Sequence, residues 1–230
     1  MNVIPQAVRD AFLKAIGPIA RAFIRAGISP NVTTTLGALV VIAGAVAFGM
    51  GYIRLGGTLI LASGLLDLVD GQVARSGGSS TKFGAFYDST LDRLGEAAVF
   101  TGIALWFVHG GVPRARLPLA VVMCMAALAS SMLVSYTRAR AEGLGLEAKV
   151  GIAQRAERVL VLGASTLFFG AGKQGVLLFW IVIILAASTT ITVAQRVIHV
   201  ARQTADPGGR AANMRRDTLP GHAAAFRKGH

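Results

Sequence analysis

Residues 67–92 read DLVDGQVARSGGSSTKFGAFYDSTLD. With Glu96 just beyond, this stretch holds five of the chain's eleven acidic residues: Asp67, Asp70, Asp88, Asp92 and Glu96. Residues 55–66 before it and 97–113 after it carry no charge, so the acids lie within or beside hydrophobic helices. Ionisable groups at that depth are expensive and mark function by default. Asp67 and Asp70 are spaced i, i+3 and share one helix face; Asp88 and Asp92 are spaced i, i+4 and share a face of the next helix.

The rest of the chain explains why those helices belong in a bilayer. Of 230 residues, 53% are hydrophobic and only 15% charged, with a mean hydropathy of +0.60; a soluble domain carries roughly a quarter charged residues. Charge is absent from 35–53, 97–113, 117–137 and 174–195, and about 20 apolar residues span a membrane. The expected fold is an all-α integral membrane protein with six transmembrane helices at 35–53, 55–75, 84–113, 117–137, 159–172 and 174–196. A cytoplasmic N-terminus leaves only Arg54, Arg114, Arg116 and Lys173, of 23 basic residues, on the far side. That asymmetry obeys the positive-inside rule and accounts for the net charge of +12 without nucleic acid. The localisation implied is the cytoplasmic membrane, multi-pass, with the acidic helix ends facing the cytoplasm.

The membrane domain is expected to take in residues 1–200, including a distinct segment at its start, with a tail beyond it. Val8, Phe12, Ile16, Ile19 and Phe23 recur at helical spacing between Arg9, Lys14, Arg21 and Arg25, so 4–26 is expected to form an amphipathic interfacial helix. Residues 201–230 are basic and poor in apolar groups, as in a mobile cytoplasmic tail drawn to anionic lipid. No cleavable secretory signal is expected, because the first long apolar run starts only at Thr35. Cys124 is the sole cysteine, which rules out an intrachain disulfide.

The loop Gly77-Gly78-Ser79-Ser80 makes the two acidic helices antiparallel neighbours. Counting from it at about 1.5 Å per residue puts the two aspartate pairs at matching depths, about 6 to 12 Å inside the helix ends. Four converging anions repel unless cations neutralise them. Hard oxygen ligands suit Mg²⁺, and two ions match the ligand number better than one. Intramembrane carboxylates also serve proton relays and ion pathways, and Asp67 or Asp92 could form ion pairs with Arg75 or Arg93. Gly71 and Gly84 leave room for a bulky phosphate and Arg75 supplies positive charge, which favours phosphoryl chemistry.

The spacing Asp67-x-x-Asp70-Gly71-x-x-Ala74-Arg75, eight residues, Gly84, three residues, Asp88, three residues, Asp92 resembles the signature of the CDP-alcohol phosphotransferase family at every fixed position. The resemblance implies an interfacial helix, six membrane helices and a homodimer. It implies transfer of a phosphoalcohol group from a CDP-linked lipid to an acceptor hydroxyl, with release of CMP. Asp67, Asp70, Asp88 and Asp92 would hold two metal ions, Mg²⁺ or alternatively Mn²⁺, and Asp92 would act as general base. Ser29-Pro30-Asn31-Val32-Thr33-Thr34 is similar to a nucleotide-contacting segment of the family. By that likeness Asn31, Val32, Thr33, Thr34, Gly71, Arg75 and Thr81 would bind the CDP-lipid. Helix capping by Ser29 and Asn31 is the alternative.

Residues 135–145 and 155–158 are similar to the bacterial members that join CDP-diacylglycerol to inositol phosphate. Arg138, Arg155 and Arg196 would then bind the acceptor's phosphate. Arg138 stands where a lysine is common and Ala156 where a proline is usual. Glycerol 3-phosphate would suit the same arginines, and the three could instead serve as topological anchors. The expected partners are CDP-diacylglycerol, a phosphorylated polyol, membrane lipid and a second copy of the chain.

Overall fold

The computed structural model describes residues 29–76 and 81–205, the side chains of 68–76 excepted. Among these residues there is no strand, and six α-helices follow one another: α1 (Pro30–Gly49), α2 (Ile53–Ser76), α3 (Lys82–Trp106), α4 (Leu117–Gly143), α5 (Arg155–Phe169) and α6 (Val176–Ala205). Four stretches are long and apolar enough to cross a membrane: Pro30–Gly49, Lys82–Gly111, Arg114–Gly143 and Lys173–Ala205. The protein is thus a helical membrane protein. The other two helices differ for visible reasons: α2 carries Arg54, Asp67, Asp70 and Arg75, and α5 has only 15 residues. The interfacial helix expected at 4–26 lies outside the described residues, as does the tail from 206 onward; α6 itself continues to Ala205.

Helix ends follow local chemistry rather than the edges of the uncharged runs. Ser29 caps α1 by accepting a hydrogen bond from the Val32 N–H, with Pro30 at the first helical position, so α1 begins ahead of Thr35. After α1 the chain turns through Gly51 at φ +86°, a conformation that other residues adopt only with strain. Thr81 caps α3 through its hydroxyl, which accepts from the Gly84 N–H at 2.9 Å. At its far end α3 loosens into a π-turn at Phe107–Gly111.

Helix α1 packs along both α2 and α3, α2 also packs on α5, and α4 packs on α6. Small residues permit these approaches, as membrane helices require. A Cβ on Gly102 of α3 would run into the Ala45 carbonyl of α1, and one on Gly57 of α2 would lie 2.8 Å from the Gly163 carbonyl of α5. The core between them holds Phe48, Ile60, Ile103, Phe107, Leu162, Leu178 and Val182. Leu39, Val46, Met125, Phe168 and Trp180 are exposed, as lipid-facing side chains would be.

The connection 144–154 is strapped to α6. Arg196 donates through Nε to the Val150 carbonyl at 2.9 Å and through Nη1 to the Val134 carbonyl. Gln203 donates to the Glu147 carbonyl at 2.7 Å, and the Ala153 N–H donates to Thr192 Oγ1 at 3.0 Å. Reciprocal bonds between Gln154 and Glu157 form a capping box, which fixes Arg155 as the first residue of α5. Arg155 is thereby delivered to a cleft that α1, α2, α3 and α5 share, lined by Thr34, Gly37, Asp67, Asp92 and Arg155.

The close crossing of α1 and α3 is testable. Gly102→Ala should lower stability by about 1 to 3 kcal/mol through overpacking. Gly143→Ala, where nothing lies within 4 Å of the added atom, should shift it by less than about 0.5 kcal/mol. Thermal unfolding in detergent reads both; equal behaviour of the two variants would refute so close a crossing.

Candidate active site

Asp67 lies on α2 and Asp88 and Asp92 on α3. Asp67 Oδ1 faces the backbone of α1 at Gly37, where a Cβ would stand 3.3 Å away. Arg155 enters from α5 and joins the two acidic helices: its Nη2 is 3.0 Å from Asp67 Oδ2 and 2.8 Å from Asp92 Oδ1. Its Nη1 donates to the Asp92 main-chain carbonyl at 3.2 Å. Asp88, one turn before Asp92, lies within electrostatic range of Asp67, Arg155 and Arg93.

The network continues inward. Glu96, one turn after Asp92, pairs closely with Arg158, whose Nη1 also donates to the Ala153 carbonyl at 2.8 Å. Arg155 Nη1 is 3.7 Å from Glu96 Oε1, and Arg93 Nε is 3.9 Å from Glu96 Oε2. Arg93 also meets Asp92 Oδ2 at 3.3 Å. With side chains only 7% and 10% exposed, Arg158 and Glu96 compensate each other's burial.

The expected nucleotide segment forms the first turn of α1. Thr34 lines the cleft with Asp67 and Asp92, and its hydroxyl donates to the Pro30 carbonyl at 3.0 Å. Thr33 is fully buried and Val32 is half exposed. Asn31 and Thr81 converge on Gly84: a Cβ there would be 3.2 Å from Asn31 Oδ1 and 3.1 Å from Thr81 Oγ1. The Thr35 hydroxyl, which donates to the Asn31 carbonyl at 2.7 Å, also pairs with Tyr87 Oη at 3.0 Å, tying α1 to α3. Asp70, Gly71 and Arg75 lie on α2, and their side chains are outside the described ones.

The three arginines assigned to the acceptor do not share one environment. Arg155 sits among the acids. Arg138 is half exposed and pairs with Glu142 at 2.9 Å. Arg196 is buried and engaged with the Val134 and Val150 carbonyls. Sequence reasoning offered Arg93 as an ion-pair partner of Asp92, which the structure shows, but gave no role to Gly37 or Arg158. Gly37 carries a usable signal, since it stands one turn after Thr33 and Thr34; the Glu96–Arg158 pair, 62 positions apart, has no local signal.

The donor set suits a divalent cation. Carboxylates from two different helices, Asp67 and Asp92, converge on one positively charged nitrogen, so the site already accommodates a cation between hard oxygen ligands. Among the described residues no three metal-ligating side chains form a ready set, and Asp70, the fourth aspartate, has its side chain outside them.

Residues 27–192 match the family model of CDP-alcohol phosphatidyltransferase, and the chain belongs to that family of enzymes. Among curated relatives it is 39% identical over 202 residues to the phosphatidylinositol phosphate synthase of Cutibacterium acnes, covering 84% of this chain and 96% of that protein. It is 38% identical over 208 residues to the synthase of the same name from Streptomyces avermitilis, covering 86% and 82%. Among solved structures it resembles Mycobacterium tuberculosis phosphatidylinositol phosphate synthase with CDP-DAG bound, with TM-score 0.70 and 34% identity over 84% of this chain and 94% of that one. The same mycobacterial enzyme in complex with manganese and citrate gives TM-score 0.71 at 34% identity, over 84% and 90%.

Removing the anion of the inner pair exposes its structural weight. Glu96→Gln should destabilise the fold by about 3 to 5 kcal/mol by leaving Arg158 buried and uncompensated, whereas Glu96→Leu combined with Arg158→Met should recover most of that loss. A Gln variant as heat-stable as wild type in detergent would show that Glu96 does not compensate Arg158.

Proposed function

We propose that this enzyme transfers the phosphatidyl group of CDP-diacylglycerol to a hydroxyl of inositol phosphate, forming phosphatidylinositol phosphate and CMP. The observation that carries the reading is the convergence of Asp67 and Asp92, from separate helices, on one cationic position beside Thr34. The names and bound CDP-DAG of relatives at 34–39% identity support the substrates.

In this reading six helices cross the cytoplasmic membrane with the acidic helix ends facing the cytoplasm, and two copies associate. Asp67, Asp70, Asp88 and Asp92 would hold two Mg²⁺ ions, supplying positive charge to the pyrophosphate and to the departing CMP. The chain's own groups do the rest. Asn31 and Thr81, gathered at Gly84, position the cytidine with Val32, Thr33, Thr34, Gly71 and Arg75. Asp92 takes the proton from the acceptor hydroxyl as its oxygen forms a bond to the phosphatidyl phosphorus. The bond from that phosphorus to the CMP oxygen breaks, and the pair of electrons leaves with CMP. Arg155 meets the acceptor's phosphate, with Arg138 and Arg196 on the same side of the protein.

Competition among inositol phosphate, inositol and glycerol 3-phosphate, read as CMP release and lipid product, tests the acceptor. Inositol phosphate should win; preference for glycerol 3-phosphate would replace the substrate and keep the reaction. Arg155→Ala should raise the acceptor KM about tenfold or more, as loss of a charge-assisted contact does, with little change in KM for CDP-diacylglycerol. Asp67→Asn and Asp88→Asn should each abolish turnover in folded protein, and EDTA should do the same. Undiminished CMP release in excess EDTA would refute the metal-dependent reading.

A further inference from the structure

Arg155 is held twice in the cleft, and the two holds differ in kind. Its Nη2 bridges Asp67 and Asp92 at 3.0 and 2.8 Å, the carboxylates that a divalent ion needs. Its Nη1 donates to the Asp92 main-chain carbonyl at 3.2 Å and lies 3.7 Å from Glu96, a carboxylate that no ligand set uses and that Arg158 already fixes in place. The base of the side chain cannot follow a moving partner, because the capping box of Gln154 and Glu157 anchors the first turn of α5.

We infer that Arg155 is an exchangeable counter-cation: without metal its guanidinium holds the position between Asp67 and Asp92, and ions binding there release it to the acceptor's phosphate. The inference rests on the reaction proposed above for the identity of that phosphate. A guanidinium nitrogen and a divalent ion cannot both occupy the space between the same two oxygens. An ion held by those two oxygens would break the Nη2 contacts, while Glu96, 3.7 Å from Nη1, would keep the guanidinium charge beside the cleft. Arg is suited to both states, since its planar fork matches carboxylate and phosphate alike. The exchange makes metal and acceptor binding mutually favourable, and linkage requires the coupling to be equal in both directions.

The test is a titration of Mn²⁺ into the full chain in detergent, with free ion followed by electron paramagnetic resonance, for wild type, Arg155→Lys and Arg155→Gln. A lysine keeps the charge and loses the planar two-carboxylate bridge, so Arg155→Lys should bind Mn²⁺ about tenfold tighter than wild type, the scale of one charge-assisted contact. Arg155→Gln should also bind tighter. A simple charge effect would tighten the Gln variant and leave Lys at the wild-type value, and that result would overturn the exchange. Wild-type protein alone supplies a second readout: calorimetric affinity for inositol phosphate should rise about tenfold with Mn²⁺, and Arg155→Lys should flatten the rise. Wild-type affinity indifferent to Mn²⁺ would equally overturn it. No CMP release with inositol phosphate at saturating metal would refute the acceptor instead, whereas the Mn²⁺ titration uses no acceptor and judges the exchange by itself.

Discussion

Carboxylates cannot sit in an apolar helical bundle without cations, and this constraint organises the end of the bundle where the acids lie. Asp67, Asp88, Asp92 and Glu96 confront Arg93, Arg155 and Arg158 within one network. Taking a single charge from water into low dielectric costs several kcal/mol even after relaxation. The acids therefore dictate where arginines must arrive, and the arginines dictate how the loops carrying them are held. The connection 144–154 illustrates the chain of consequence. Arg196, Gln203 and Thr192 of α6 bind its backbone, so that Arg155 and Arg158 start α5 at the required place.

Close backbone approach is the second requirement, and glycine meets it. Helix α1 lies against both acidic helices, with Gly37 beside Asp67, Gly44 beside Leu59 and Ile60, and Gly102 of α3 against Ala45. Between apolar helices in lipid no hydrophobic force drives association, so van der Waals fit and a few buried hydroxyl bonds must do so. The Ser130–Thr189 contact between α4 and α6 is one such bond. Large apolar side chains such as Met125 and Phe168 also face outward, while glycine stands where two helices approach most closely.

Much of this was legible in the sequence. Uncharged runs located the helices, and the aspartate spacing named the acidic faces. The ends moved for local reasons that hydropathy does not carry: Ser29 starts α1 before Thr35, and the Gln154–Glu157 box starts α5 at Arg155 rather than at 159. Spacing did not reveal that α1 packs along both acidic helices or that Arg155 spans their carboxylates. Ion pairing of Asp92 with Arg93 was foreseeable from adjacency; pairing of Asp67 with Arg155, 88 positions away, was not. Long-range charge partners are set by helix packing, and single-chain spacing holds no record of that.

The three arginines read as one acceptor set divide according to how their donors are already used. Arg196 gives Nε and Nη1 to main-chain carbonyls in a buried setting, so moving it would leave a buried guanidinium without those acceptors and release the Val150 carbonyl. Arg138 is half exposed and paired with a neighbour on its own helix, a contact of small energy that an incoming phosphate could replace. Of the three, Arg155 alone bonds to the carboxylates proposed to hold the ions. In the proposed reaction the three therefore do different work. Arg196 fixes the frame, Arg138 offers charge at the rim, and Arg155 links the state of the acidic centre to the side from which the acceptor arrives. That division follows from which donors are already engaged, and it explains why the three arginines are not interchangeable positive charges.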